Sequence, residues 1–164
     1  MQVKSRHHLR ADAVDDLQSQ LSAALGVELN ADTFEKVELE DADLELVLVD
    51  GESAVMYIEG EDGEQEAFLT VRGANEYPPQ RGIVTVDAGA ISFVSDGADV
   101  MRPGIVEADA DIEAGDLVVI DEENHGKVLA VGRARTSGDD MVGDEGKVVD
   151  SIHHVGDELY EFSV

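Results

Sequence analysis

Short apolar runs separated by turn residues fill the second half of the chain. They occupy residues 83–86, 105–107, 117–120, 128–134, 148–152 and 159–162. The apolar stretch between the Gly-Ala pairs at residues 89–90 and 97–98 has the pattern of a short helix instead. Closely spaced short strands with a single helix predict a small β-barrel.

The first half of the chain opens with the pattern of an amphipathic helix. Its apolar residues recur at helical spacing and are Val14, Leu17, Leu21 and Leu25. Asp12 is the expected N-cap, and Gly26 is the expected stop signal.

A small antiparallel sheet is predicted after this helix. Asp50-Gly51 lies between two β-prone runs at residues 44–49 and 53–58, which is a strong hairpin signal. Asp62-Gly63 offers a second turn, which leads into a strand at residues 67–71. The segment Tyr77-Pro78-Pro79-Gln80-Arg81 then breaks both patterns. We therefore predict an α+β chain with two units, residues 1–76 and residues 77–164.

The formal net charge is -27, from 38 acidic and 11 basic residues. The acids are scattered along the chain and lysine is rare, which favours a salt-adapted (halophilic) protein over an acidic surface for cations or basic proteins. In molar salt the Debye length falls to about 3 Å, so this charge does not exclude RNA binding. The chain has no cysteine, and no apolar run long enough to span a bilayer. We expect a cytoplasmic protein.

The stretch from Val86 to Ile105 carries a family resemblance. Its two Gly-Ala pairs, short apolar helix and Met101-Arg102-Pro103-Gly104 corner resemble the start of a PUA domain, an RNA-binding module. Gly115-Asp116 before an apolar strand, Gly132 inside the next strand, and the segment 146–160 continue the resemblance. Over residues 77–164 this implies a PUA pseudo-β-barrel, which follows a small pre-PUA α+β unit.

Across its full length the chain resembles archaeal relatives of the malignant-T-cell-amplified translation factors, which pair with the density-regulated protein. The resemblance implies non-catalytic RNA binding in translation initiation, reinitiation or recycling. The implied partners are the tRNA 3′ acceptor end, small-subunit ribosomal RNA and a density-regulated-protein-like or initiation-factor partner. Two alternatives stay open: an RNA-modification accessory module for tRNA, and a protein–protein adaptor without RNA binding.

The glycine-rich corner of the PUA pattern is expected to approach RNA closely, because glycine exposes backbone amides. Arg102 can reach a phosphate, whereas burial in the core is the favoured interpretation of Met101. Arg133 and Arg135, with Lys127, are expected on one strand face, the alternative being pairs with nearby acids such as Glu122 and Asp139. The predicted RNA-binding residues are Gly97, Ala98, Met101, Arg102, Pro103, Gly104, Arg133, Arg135, Lys147 and His153.

A second basic patch precedes the first helix and consists of Lys4, Arg6, His7 and Arg10. It is interpreted either as a contact for ribosomal RNA or a partner protein, or as a solvated strand and helix start lying on the PUA unit. His7-His8 and His153-His154 are adjacent pairs without the spacing of convergent ligands, so no metal is expected. If the strand there is regular, one of His153 and His154 points inward. The sequence contains no P-loop, nucleophile elbow or dinucleotide fingerprint, so neither an enzyme nor a cofactor is predicted.

Overall fold

The computed structural model describes residues 1–164 and contains two sheets. The first is an antiparallel sheet whose strands follow chain order: β1 (Val3–His8), β2 (Phe34–Leu39), β3 (Glu45–Val49), β4 (Glu52–Glu59) and β5 (Gln65–Leu69). The predicted hairpin forms at Asp50-Gly51, where both residues have positive φ, at 50° and 89°. Strands β1 and β2 of this sheet were not predicted from the sequence.

Helix α1 (Ala11–Leu25) covers this sheet with the predicted apolar face. Leu17, Leu21 and Leu25 are fully buried, and Gly26 ends the helix as predicted. The predicted N-cap is wrong: Arg10 holds that position, and Asp12 lies inside the first turn. The helix begins earlier because the β1–β2 pairing extends to Leu9, whose N–H donates to Phe34.

A second helix, α2 (Val71–Glu76), replaces the end of the strand predicted over residues 67–71. The Thr70 hydroxyl accepts from the N–H of Gly73 and caps the helix. A β-carbon at residue 73 would collide with the carbonyl of Ala54, so this turn of the helix packs directly on β4. The helix therefore lies between the two sheets.

The second sheet contains β6 (Ile83–Val86), β7 (Val100–Met101), β8 (Ile105–Ala108), β9 (Leu117–Glu122), β10 (Val128–Ala134) and β11 (Lys147–His154). Its spatial order is β7-β11-β10-β9-β6-β8, with β6 parallel to β9 and the other pairs antiparallel. The predicted short helix is α3 (Ile91–Ser95). This near-barrel, following an N-terminal sheet, confirms the predicted fold class.

The last predicted strand, residues 159–162, is wrong. The chain forms a helical turn there, α4 (Glu158–Glu161), because the Asp157 carboxylate accepts from the N–H of Tyr160 at 2.8 Å. Leu159 is buried in the core of the first sheet. No helix in the chain has both the length and the apolar character needed to cross a membrane.

The connection between the sheets, residues 77–82, is fixed to helix α1. The backbone N–H of Gln80 donates to the carbonyl of Leu25 at 2.7 Å. The guanidinium of Arg81 donates to the carbonyls of Ser22 and Ala23 in the last turn, where a cation also complements the helix dipole. The boundary between residues 76 and 77 remains a prediction, because β9, β10 and α4 contribute residues to the core of the first sheet.

Candidate nucleic-acid interface

Arg102 holds a loop of its own unit. Its Nε donates to the carbonyl of Asp140 at 2.8 Å, its Nη1 to the carbonyl of Glu145 at 3.0 Å, and its Nη2 to the Asp140 carboxylate at 2.9 Å. These bonds fix the loop of residues 138–146 beside β7 and β11. The guanidinium that was predicted to bind phosphate thus donates mainly to groups of the protein itself. Arg102 has few N–H groups left for a contact with RNA.

Val142 in this loop is 58% exposed, and two further large apolar side chains, Met101 and Phe93, are exposed next to the glycine-rich corner. Met101 is 48% exposed, so the interpretation as a core residue is wrong: of the two β7 residues, only Val100 is buried. Phe93 on α3 is 67% exposed, although Val94 of the same short helix is buried. Phe93 was not predicted as a site residue. Its position next to Val94 on a helix of five residues could have indicated that only one of the two is buried. These side chains give the edge an apolar surface.

The glycine-rich corner lies next to Phe93. Gly97 has φ +92°, and a β-carbon there would lie 2.7 Å from Nε2 of His154, so the position requires glycine for the turn itself. Ala98 is exposed, and its N–H donates to the carbonyl of Phe93 at 3.0 Å. Pro103 is also exposed, and the carbonyl of Gly104 accepts from the N–H of Asp87 at 2.9 Å. The corner combines structural turns with an accessible backbone.

Two exposed cations flank Asp150 on the same sheet. The Lys147 ammonium lies 3.0 Å from one carboxylate oxygen, and Arg135 lies 3.2 Å from the other. The hydrogen bond to Asp150, its charge and the charge of Asp99 raise the pKa of Lys147, so this lysine stays charged. Because Lys147 pairs with Met101 across β7 and β11, a cation stands beside the apolar surface.

Arg133 and Arg135 differ in accessibility: Arg133 lies opposite Asp150, which Arg135 also contacts, but only Arg133 is buried. Arg133 is 8% exposed, and its Nη1 donates to the carbonyl of Gly115 at 2.7 Å and approaches the Glu66 carboxylate at 3.4 Å. Arg135 lies beyond the end of β10, and Lys127 lies before its start, where the register also shifts. Burial of Arg133, and not strand parity, therefore separates the two arginines, whereas the register shift separates Lys127 from both.

The suggested acidic partners are also different. Glu122 accepts from the backbone N–H groups of Asn124, His125 and Lys127, so it closes a turn rather than pairing with an arginine. Asp139 forms no ion pair with either arginine; Glu66 and Asp150 take that place.

His153 is the inward-pointing member of its pair and is 2% exposed. Its Nε2 accepts from the N–H of Val71 at 3.1 Å, and its Nδ1 lies 2.7 Å from the Asp157 carboxylate. Burial lowers the pKa of His153, although Asp157 opposes that shift. The neutral ring joins β11 to helix α2, so His153 belongs to the joint between the sheets and is not accessible to RNA.

The second basic patch lies on β1, at an edge of the first sheet. Its four predicted residues are exposed: Lys4, Arg6, His7 and Arg10. Arg6 pairs with Glu35 at 2.9 Å and Arg10 with Asp12 at 3.3 Å, whereas Lys4 has no carboxylate within 4 Å. The expected strand and helix start are present, but the strand is part of the first sheet, where it pairs with β2.

Comparison with known proteins agrees with this architecture. The family model described as PUA domain matches residues 82–156. An uncharacterized protein of Methanocaldococcus jannaschii is 38% identical over 73% of this chain and 72% of its own length. Translation machinery-associated protein 20 of Saccharomyces cerevisiae is 35% identical over 80% of this chain and 73% of its own length.

The chain belongs to this family of PUA-domain proteins. The family also includes the malignant T-cell-amplified sequence 1 homolog of Dictyostelium discoideum, which is 28% identical over 71% of this chain and 65% of its own length. The crystal structure of a hypothetical protein from Pyrococcus horikoshii superposes with a TM-score of 0.82 at 32% identity, covering 98% of this chain and 100% of that chain. The predicted family is confirmed.

Proposed function

We propose that the chain is a non-catalytic RNA-binding protein of the translation machinery. The proposal extends to a role in initiation, reinitiation or ribosome recycling, with contacts to the acceptor end of tRNA and to the small ribosomal subunit. Membership of the PUA-domain family supports it, as does the name of the yeast relative. We further propose a cytoplasmic location.

The observation that carries the proposal is the exposure of Phe93 and Met101 beside the glycine corner. Exposed apolar side chains that cluster at one place on a protein mark an interaction site, whereas single ones are ordinary. Aromatic and thioether groups can cover an unstacked base or ribose, and Lys147 can contact the adjoining phosphate. The proposed surface consists of Phe93, Gly97, Ala98, Met101, Pro103, Gly104, Arg135 and Lys147.

A chain of net charge -27 binds RNA only where long-range repulsion is screened. We propose that its native medium is molar salt, in a halophilic archaeon. Contacts at hydrogen-bonding range and apolar contacts remain there, whereas binding through counterion release weakens as salt rises. The apolar edge suits such a medium, because burial of apolar surface does not depend on ionic attraction.

The basic patch on β1 is proposed as a second contact, either for ribosomal RNA or for a density-regulated-protein-like or initiation-factor partner. Lys4, Arg6 and His7 lie on an open edge strand, whose outer backbone groups are also accessible to a partner, and Arg10 follows at the start of helix α1. The first eleven residues contain no acid, in contrast to the rest of the chain.

Binding to tRNA and to small ribosomal subunits in molar KCl tests the proposal. We expect Phe93→Ser to weaken binding roughly tenfold, since losing one stacked ring costs about 1–3 kcal/mol. Val164→Ser is the control: Val164 is 50% exposed but follows helix α4, outside the proposed surface. Failure of the wild-type protein to bind either RNA, or equal losses in the two variants, would contradict the proposal.

A further inference from the structure

Four of the 11 basic residues have no carboxylate within 4 Å, although the chain contains 38 acids. They are Lys4, Arg72, Arg81 and Lys127; the other seven all form ion pairs. Arg81 uses its guanidinium on the last turn of α1. Arg72 and Lys127 instead line the same cleft, so two cations without acidic partners face one space.

This cleft lies at the joint between the sheets and has a volume of about 550 Å³. Its walls come from the β3–β4 turn, helix α2, the residue before β10 and helix α4. A space of this size accommodates a ligand as large as a nucleotide. The residues used below are Arg72, Tyr77, Lys127 and Tyr160, and we call this space the joint cleft.

The Arg72 guanidinium is held in place with most of its donors unused. Its Nε donates to the carbonyl of Tyr160 at 2.8 Å, and its central carbon lies 4.2 Å from the centre of the Tyr160 ring. Neither Nη has a hydrogen-bond acceptor in the protein, in contrast to Arg102, which uses both. A fixed guanidinium with two open NH₂ groups has the geometry that binds a phosphate oxygen pair.

Lys127 is anchored through its backbone. Its N–H donates to Glu122 at 3.0 Å, while its side chain is exposed and forms no ion pair. The next residue, Val128, exchanges two hydrogen bonds with the Asn75 amide of helix α2, at 2.9 and 3.1 Å. Helix α2 thus carries Arg72 and also holds the strand that starts beside Lys127.

The acids of the cleft limit which anion fits. Asp50, Glu52 and Glu76 also line it, and one Asp50 oxygen is occupied by the N–H groups of Asp32 and Thr33. With these carboxylates present, Arg72 and Lys127 can balance one anionic group in the cleft. A phosphodiester brings a single charge, and the half-buried Tyr77 ring offers a surface on which a base can stack.

We propose that the joint cleft binds one nucleotide of single-stranded RNA, with its phosphate on Arg72 and Lys127. The proposal rests on the proposed RNA-binding function but assigns a second contact, away from Phe93 and Met101. It links the two sheets to one RNA strand, because Arg72 belongs to helix α2 and Lys127 precedes β10.

Fluorescence anisotropy with a labelled single-stranded RNA of about twelve nucleotides, in a salt series, tests this site. We expect Lys127→Gln and Arg72→Gln each to weaken binding roughly fivefold and to reduce the salt slope by about 0.7, the value for one lost phosphate contact. Lys36→Gln is the control for charge, since Lys36 is paired with Glu45 outside the cleft. It is expected to stay within about twofold of wild type.

Melting curves of each variant show whether it is folded, and Lys127→Gln removes a side chain without protein partners. If that variant binds like wild type while Phe93→Ser is weakened, the joint cleft is wrong and the proposed function stands. If wild type binds no RNA, both proposals fail. Hexaglutamate that binds wild type but not Lys127→Gln would assign the cleft to an acidic peptide and overturn the RNA assignment.

Discussion

The joint between the sheets and the outer edge of the second sheet, at β7 and helix α3, differ in which side chains they bury. In the joint, polar groups such as Arg133, His153 and Asn75 each have defined partners in the other half of the molecule. At the outer edge, the large side chains Phe93 and Met101 are left in water. Polar bonds thus add to the apolar core that the two halves share at the joint, whereas exposed apolar groups mark the outer edge where a ligand is proposed.

This contrast separates residues that look alike in the sequence. Arg133 and Arg135 are two positions apart, yet one connects the sheets and the other is exposed beside Asp150. A basic residue in this acidic chain is therefore informative about RNA only after its partners are known. The variants below test the contrast, from the largest expected effect to the smallest.

Replacing Arg133 by Met is expected to lower the free energy of unfolding by about 3 kcal/mol, because it removes a nearly buried guanidinium that pairs with the partly exposed Glu66, and it leaves the carbonyl of Gly115 without its donor. Urea unfolding at fixed KCl measures this loss. The matched variant Arg135→Met removes an exposed cation and should cause a much smaller change. Equal losses in the two variants would show that Arg133 contributes no more to the free energy of unfolding than an exposed arginine does.

The Asn75 amide is the next contact to break. Asn75→Ala removes both hydrogen bonds to Val128, and we expect a loss of about 2 kcal/mol in the free energy of unfolding. Asn75→Asp keeps the acceptor for the N–H of Val128 and loses only the donor, so an intermediate value is expected. No difference between Ala and Asp in urea unfolding would contradict this account.

The joint is also expected to weaken in acid. Burial lowers the pKa of His153, so the folded chain binds fewer protons than the unfolded chain. The free energy of unfolding therefore falls as the pH drops below about 6.5, the ordinary histidine value, and stops falling below the folded-state pKa.

His153→Gln keeps an acceptor for the N–H of Val71 but cannot titrate, so it should lose this part of the pH dependence. Asp157, whose pKa is also lowered, adds a separate loss below about pH 4, its ordinary value. The lowering prevails over burial because the carboxylate accepts from the N–H groups of His154 and Tyr160 and from His153. Urea unfolding between pH 4.5 and 7.5 tests the histidine part; parallel curves for variant and wild type would contradict it.

The smallest effect on stability is expected at the outer edge. Phe93→Ala and Met101→Ala should each change the free energy of unfolding by less than about 0.5 kcal/mol, because their side chains are largely exposed. The same variants are expected to weaken RNA binding. A large loss of stability in either variant would show that the residue contributes to the core and does not belong to the proposed surface.

The fold was predictable where local signals decide it. The hairpin at Asp50-Gly51 and the end of helix α1 at Gly26 form as predicted. Five of the six apolar runs in the second half are strands. The sixth, residues 159–162, failed because the Asp157 cap outweighs the strand pattern and Leu159 is buried through a helical turn. Helix α2 was missed since its packing depends on β4, which is distant in sequence.

The candidate site was less predictable because accessibility depends on register and on the other half of the chain. Arg133 is buried against Glu66 of the first sheet, whereas Arg135 lies beyond the end of β10 and is exposed. His153 is covered by helix α2, which the sequence did not reveal. The RNA role of the remaining residues stays a prediction.

Arg102 removes conformational freedom from the loop of residues 138–146 when the chain folds. Ordering one residue costs about 1–2 kcal/mol in backbone entropy. A ligand that binds this loop loses little of that free energy, because the loop is already ordered. Arg102→Lys should keep the charge and loosen the loop, and calorimetry should record a less favourable binding entropy. Affinity at this edge is then governed in part by an arginine that need not touch the ligand.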